Sequence, residues 1–232
     1  MPSKTKIALL RAAVKAAQEE YDLAVVFHEV WKPTAYDRQL RERMGVSYAT
    51  NAFHVTRTAL RREMLLALMR LWDADNRAVS IDRIAQVLRD NKTIQTLAMN
   101  RVARIGIPES FDQMHRELRQ RVSEVTKLVA QYSTNGPKYT VLKKLRSLRN
   151  QYLAHRQIVP LAATGPGATD AEIEAFFQAN SKLIRLLLSI VRAESYDPEE
   201  ATLVYRHYAT LFWASVRGET TEGHPNYRSP GG

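Results

Sequence analysis

The chain has 232 residues, a length that suits one globular domain or one domain with a helical annex. Its 45% hydrophobic and 25% charged residues are enough for a core inside a polar surface. The most apolar segment, 183–191, contains Arg185 and is too short to span a membrane. The N-terminus lacks the apolar region of a secretory signal. Without cysteine, the chain has no disulfide, thiolate metal ligand or Cys nucleophile. We therefore expect a cytoplasmic protein with no membrane partner.

The net charge of +10 favours polyanionic partners, mainly through contacts with phosphate groups. The charge is unevenly distributed, because residues 125–169 contain no Asp or Glu. The same segment contains seven basic residues: Lys127, Lys138, Lys143, Lys144, Arg146, Arg149 and Arg156. A solvated basic face is the simplest interpretation of such a run. Its overlap with the motif described below favours an anion site.

The first 44 residues are predicted to form an N-terminal helical segment. Apolar residues recur in steps of three and four from position 7 to position 31, which predicts a helix that ends at Pro33. His28 lies on this apolar seam and is predicted to be a hydrogen-bonded core histidine. After Gly45, a second long helix is predicted over 46–73. Ser80 is a candidate N-cap for a further helix, whose boundaries between 90 and 108 the pattern leaves open.

The second half of the chain also has a helical pattern. Pro108 begins a helix whose apolar stripe reaches Tyr132, and the stop signal "STNGP" follows at 133–137. A motif helix is predicted over 138–157. The capping box "TDAE" at 169–172 predicts a helix from Asp170 to about Glu194, and Asp197-Pro198 starts the last one. No strand pattern or internal repeat is present. We predict an all-α bundle of about six to eight helices in one domain, 1–218, with a flexible C-terminal tail, 219–232.

The segment "LRSLRNQYLAHR" at 145–156 places polar residues suited to catalysis on a helix. Its packed stripe is predicted to be Leu145, Leu148 and Tyr152. Arg149 and His155 are six residues apart, so an ideal helix separates them by about 120°. One straight helix does not direct both side chains at the same atom. Two such helices that meet about a dimer axis would line one cleft with both residue types.

These side chains suit the cleavage of RNA. Arginine binds phosphate and stabilises charge on a pentavalent transition state, and histidine moves the 2′-hydroxyl proton near neutral pH. Asn150 is suited to hold a phosphate oxygen or a ring in place. Attack of the 2′-oxygen on the adjacent phosphorus then needs no metal or other cofactor and leaves a cyclic phosphate. We predict Arg149, Asn150 and His155 as catalytic. The RNA-binding candidates are Lys143, Lys144, Arg146 and Arg156.

The string "RNQYLAH" at 149–155 resembles the signature of the HEPN superfamily, an Arg followed after four to six residues by His. Together with "LMRLWDADNRAVSI" at 68–81, it is similar to the AbiU group of HEPN proteins, which is associated with abortive infection, a bacterial defence against phage. The likeness extends loosely over 21–217. It implies a helical homodimer with a composite cleft and metal-free endoribonuclease activity, deployed as an antiviral toxin. Arg149 and His155 would be catalytic and Asn150 supporting.

Two further points follow from the resemblance. Asp73 matches an acidic position after the second helix of similar proteins, where a helix-terminal or salt-bridging role is the simplest one. Some HEPN toxins carry a Tyr two residues after the His, which a partner nucleotidyltransferase modifies. Gln157 occupies that position here, so silencing by such a partner is not expected. An antitoxin of another kind or a phage-derived trigger remains a candidate partner.

Two alternatives to the endoribonuclease remain open at this stage. The first is a catalytically inactive HEPN dimer that binds RNA or a nucleotide as a subunit of a defence or toxin–antitoxin system. The second is a structural helical protein with a basic surface, in which Arg149 and His155 are incidental.

Overall fold

The computed structural model describes residues 4–73, 75, 78–153 and 167–227. This part of the chain contains nine α-helices and no β-strand, which confirms the all-α prediction. The helices are α1 (Lys4–Tyr36), α2 (Arg38–Met44), α3 (Tyr48–Arg70), α4 (Ile81–Arg89), α5 (Asn91–Ile105), α6 (Phe111–Tyr132), α7 (Tyr139–Leu153), α8 (Asp170–Leu187) and α9 (Pro198–Ser215). None of the described helices combines the length and apolar character that crossing a lipid bilayer requires.

The number of helices exceeds the predicted six to eight because of two short breaks. Residues 38–44 form a helix of their own, α2, which begins where Asp37 accepts a hydrogen bond from the backbone of Leu40. Asp90 separates α4 from α5, and its carboxylate accepts the Lys92 amide proton at 3.0 Å. Short polar side chains at an N-cap satisfy amide groups that have no partner within the helix.

The sequence predicted that the first helix ends at Pro33, and this prediction is wrong. It continues to Tyr36 with the proline inside its last turn. Proline removes one helical hydrogen bond. The hydroxyl group of Thr34 donates to the carbonyl oxygen of Trp31 at 2.6 Å, and the Asp37 amide donates to the carbonyl of Pro33 at 2.9 Å. These local bonds hold the turn together, so the proline ends the helix only one turn later.

The chain divides into two compact units, of which the first comprises 1–21 and 68–196. Within it, α6 contacts α4, α5, α7 and α8. Its centre holds the rings of Trp72, Tyr132 and Phe176, with centroids 5.1–5.9 Å apart. Aromatic groups in tilted and edge-on contact bury large apolar areas in a fixed geometry. Tyr132 of this cluster is the last residue of α6, the helix that contacts α7.

The capping box at the start of α8 is confirmed. The Thr169 hydroxyl accepts the Glu172 amide proton at 3.1 Å, and the Glu172 carboxylate accepts the Thr169 amide proton at 2.8 Å. The helix continues beyond Leu187 as a π-helical segment, Leu188–Arg192. It ends at Ala193, whose φ of 57° is left-handed. The helical stretch therefore has the predicted extent, but its last turn is wider than an α-helix.

The second unit comprises 22–67 and 197–232. Its core contains Leu40, Met44, Phe53, Ala209 and Trp213, and the Trp213 indole donates to the carbonyl of Val30 at 2.8 Å. In the tail region, the Tyr48 amide donates to the carbonyl of Glu222 at 3.2 Å. The domain limits given above, 1–218 and 219–232, stay predictions.

The core position predicted for His28 is confirmed. Its side chain is buried, and Nδ1 lies 2.8 Å from the Oε1 atom of Glu29, which is also buried. Arg206 donates to the other Glu29 oxygen at 3.1 Å. These three side chains form one connected polar set within the second unit.

Candidate functional site

The described part of the motif, 145–153, lies on α7, which packs against α6. Leu142 and Leu145 are buried, and Leu148 is half-buried. The Tyr152 side chain, the third member of the predicted stripe, lies outside the described residues. With this side of the helix packed, Lys143 and Asn150 are exposed to solvent. The helix is therefore held by its leucines and presents its polar residues outward.

Arg149 forms an ion pair with Asp73, 76 positions earlier in the chain. Its Nη2 atom lies 2.8 Å from Asp73 Oδ2, and the two side chains are 32% and 18% exposed. The second Asp73 oxygen accepts the Asp75 amide proton at 3.1 Å. The salt-bridging role that was the simplest expectation for Asp73 is confirmed. This contact holds the motif arginine in one place at the protein surface.

Backbone contacts connect the two ends of the loop that carries Asp73. Trp72 and Ser80 form an antiparallel bridge, and the Ile81 amide donates to the Leu71 carbonyl at 2.8 Å. Arg83 donates to the Asp75 carbonyl at 2.6 Å and also to the carbonyl of Ala78. Asp73 is thus fixed by the geometry of a tied loop.

Trp72 anchors this loop to the core. Its indole Nε1 donates to the side-chain oxygen of Asn180 at 2.8 Å, and the Asn180 amide group donates to the carbonyl of Phe176. All three residues are buried. A buried polar pair with its hydrogen bonds satisfied fixes a single arrangement of the groups around it. The position of Asp73, next in sequence, therefore follows from the packing of Trp72 against α8.

Arg146 lies one helical turn before Arg149 and contacts the same loop. Its Nη2 atom donates to the carbonyl of Trp72 at 3.3 Å. Burial raises the pKa of nearby Asp82, while the positive charge of Arg146 and a hydrogen bond with Ser133 act in the opposite direction. Arg146 and Arg149 together place two guanidinium groups beside residues 72–73.

The two predicted RNA-binding lysines are in different situations. Lys144 pairs with the Glu172 carboxylate at 2.9 and 3.2 Å, and this contact holds the pKa of Glu172 below its ordinary value. Lys143 is exposed and forms no ion pair with any described residue. Lys143 is therefore the freer of the two to meet a phosphate, because Glu172 already offsets the charge of Lys144.

Comparison with known protein families gives a match that covers most of the chain. The family model described as HEPN AbiU2 matches residues 6–212. The chain belongs to the HEPN AbiU2 family. This assignment confirms the resemblance and the HEPN-like fold. No curated protein and no solved structure gives a significant match to the chain.

The structure of this AbiU2-family chain brings together some of the predicted site residues. Arg146, Arg149 and Asn150 lie on the last described turns of α7, beside the loop that carries Asp73. His155 and Arg156 lie outside the described residues. Trp72 and Asn180 were not predicted as part of the site. Their spacing in sequence carries no signal for a contact, although the similarity at 68–81 already pointed to this loop.

Arg149 remains able to bind an anion. A guanidinium group has five N–H donors in a fixed fork, of which Asp73 uses one in this structure. The others are available for the nonbridging oxygens of a phosphate. No group of three or more His, Asp or Glu side chains within the described residues is placed to hold a metal ion. Guanidinium groups held in this way have a geometry suited to contact with an anion.

Proposed function

We propose that this AbiU2-family chain is a metal-independent endoribonuclease of the antiviral toxin type. The observation that carries the proposal is Arg149, half-exposed at the end of the motif helix and held at 2.8 Å by an aspartate on a tied loop. A surface arginine with such support is organised before any ligand binds. Preorganised cationic donors stabilise developing charge without a reorganisation cost at the moment of reaction.

In the proposed reaction, the 2′-oxygen of RNA attacks the adjacent phosphorus and the 5′-oxygen leaves. The products are a 2′,3′-cyclic phosphate and a free 5′-hydroxyl. Arg149 binds the nonbridging oxygens and stabilises the additional negative charge, while Asp73 positions it. Asn150 holds a phosphate oxygen, His155 takes the proton from the 2′-hydroxyl, and the leaving 5′-oxygen takes a proton from water. A second copy of the chain, related by a two-fold axis, would complete the cleft.

The test is cleavage of purified RNA by the purified chain, with and without EDTA. We expect cleavage in both conditions, with 2′,3′-cyclic phosphate ends on the products. Arg149→Ala and His155→Ala should each lower the rate by roughly 10²–10³-fold, as expected when a transition-state donor or a proton-transfer group is removed. Arg119→Ala is the matched control, because Arg119 is exposed on α6 and forms no ion pair with any described residue.

Intact RNA that the chain nevertheless binds would contradict the enzyme and support the inactive RNA-binding dimer. Unchanged RNA binding in all variants would instead support the structural role. Expression in bacteria provides a separate readout. Growth arrest by the wild type that Arg149→Ala and His155→Ala both abolish supports the toxin, whereas harmless expression of an active enzyme contradicts the toxin part of the proposal.

A further inference from the structure

Three arginines from three helices line a cavity in the first unit, away from the motif. Arg101 of α5, Arg121 of α6 and Arg185 of α8 surround a volume of about 420 Å³. Ser189, Ser195 and Tyr196 also contribute to the lining. The volume lies within the range of ligand-binding cavities, about 300–1,000 Å³. Convergence of three guanidinium groups on one cavity points to an anionic ligand.

Two of these arginines are fixed by the widened turn that follows α8. Arg101 donates to the carbonyl of Ile190 at 2.7 Å and also to the carbonyl of Ser189. Arg121 donates to the hydroxyl group of Ser189. Cationic side chains commonly satisfy carbonyl groups at a helix C-terminus. These contacts therefore explain part of the role of Arg101 and Arg121, but they use only some of the donors of each group.

Arg185 has no such structural explanation. It is exposed and forms neither a hydrogen bond nor an ion pair with any described residue. It nevertheless faces the same cavity as Arg101 and Arg121. Its five donors are open to a ligand.

The charges around the cavity are not balanced. Burial and the nearby charges of Arg121 and Arg104 lower the pKa of Arg101, while Glu117 acts in the opposite direction. Glu194, the acidic residue that lines the cavity, pairs with Arg192 at 2.8 Å. Like charges that are brought together without matching carboxylates repel one another, and an anion removes that repulsion.

We propose that Arg101, Arg121 and Arg185 bind a backbone phosphate of the RNA strand whose cleavage is assigned above to the motif helix. This proposal rests on the proposed function for the identity of the ligand. Asn180, which holds Trp72 at the motif loop, lies nine residues before Ser189. This separation corresponds to about 14 Å along a helix. Both Asn180 and the cavity belong to the first unit, so we assign the cavity to the same bound strand as the motif helix.

The test uses an RNA oligonucleotide in which every 2′-hydroxyl is methylated, so the proposed cleavage cannot occur. Binding is followed by fluorescence anisotropy between 50 and 200 mM KCl. Arg185→Ala should raise Kd by roughly three- to tenfold and lower the slope of log K against log salt by about 0.7, the value for one lost phosphate contact on a single strand. Arg121→Gln should have a similar effect while it keeps a donor for Ser189. Arg185→Lys retains the charge and should recover most of the salt slope.

Arg119→Ala serves again as the matched control, and a melting curve of each variant checks folding. Unchanged Kd and salt slope in both Arg185→Ala and Arg121→Gln would overturn the proposal. A second experiment titrates inorganic phosphate and AMP into the same variants. If the variants bind phosphate or AMP more weakly than the wild type but bind RNA with an unchanged Kd, the proposal is also overturned. The cavity would then bind a small phosphorylated ligand. If the chain does not cleave RNA, the proposed function is refuted. The binding measurements with methylated RNA still test the arginine cavity, because they do not depend on cleavage.

Discussion

At the scale of single residues, the ion pair between Arg149 and Asp73 would have two opposite effects at the proposed phosphate site. A carboxylate beside a phosphate-binding arginine repels the phosphate. The same carboxylate also fixes the guanidinium group, at 2.8 Å here, and both of its oxygens are occupied. Asp73 is 18% exposed and lies in a loop tied by the Trp72–Ser80 bridge. This geometry favours positioning over repulsion as the dominant effect.

Replacement of Asp73 tests this balance. Asp73→Ala should lower kcat by roughly 10- to 100-fold with little change in KM, because misplacement of a catalytic group by about 1 Å costs up to this much. Asp73→Asn keeps an oxygen that accepts the guanidinium proton, so it should recover part of kcat. Steady-state cleavage of a short RNA measures both constants. An increase in kcat or a lower KM in Asp73→Ala would show that repulsion dominates instead.

Both residues of this contact were accessible from sequence, but their pairing was not. The motif spacing pointed to Arg149, and the similarity at 68–81 pointed to Asp73, but nothing joined the two. Helical periodicity predicts which residues share a face of one helix, and it carries no information about a partner 76 positions away. The pairing depends on how Trp72 packs between Tyr132, Phe176 and Asn180. That packing is a property of the assembled core.

At the scale of helices, some local signals predicted the boundaries correctly and others did not. The capping box at 169–172 was correct because its two hydrogen bonds involve residues only three apart. Pro33 was a poor guide, since the side chain of Thr34 and the backbone of Asp37 compensate for the bond it removes. The π-helical turn at Leu188–Arg192 has no local signal. It contacts Arg101 and Arg121, which come from other helices.

Glu29 on α1 provides a stability test at this scale. Burial raises its pKa, but hydrogen bonds with His28 and Arg206 outweigh burial, so the pKa lies below its ordinary value of 4.5. A carboxylate with a lowered pKa in the folded state stabilises the protein above its unfolded-state pKa. That contribution disappears as the pH falls through the folded-state value. The network should therefore stabilise the second unit at neutral pH and not in acid.

Glu29→Gln should lower the free energy of unfolding by about 1–2 kcal/mol at pH 7, since hydrogen bonds to a charged group are lost. The difference from the wild type should shrink as the pH falls below 4.5, where the wild-type carboxylate becomes protonated. Urea unfolding at a series of pH values measures it. Glu42→Gln is the control, because Glu42 pairs with Arg38 on an exposed helix surface and should change stability little at any pH. A difference that is constant with pH would contradict the role of the Glu29 charge.

At the scale of the whole molecule, the net charge of +10 and the motif require an explanation together. A positive charge of this size favours polyanions such as RNA in general, and salt weakens that attraction. The net charge alone does not bring His155 and Arg149 to the same phosphate. On one straight helix, residues six apart point about 120° away from each other. The proposal therefore requires a second copy of the chain, in which the Arg149 of one copy and the His155 of the other serve the same phosphate.

Mixing two inactive variants tests this requirement. The Arg149→Ala and His155→Ala chains are unfolded together and refolded at equal concentration. About half of the dimers should then contain one chain of each variant, and each such dimer has one of its two composite clefts intact. About a quarter of wild-type cleavage should therefore return. Each variant refolded alone should stay inactive. If Arg149 and His155 act within one chain, every cleft in the mixture lacks one of them and no activity returns. Sedimentation of the same samples separates this outcome from failure to form dimers, because a composite cleft requires a species of twice the 26.5 kDa chain mass.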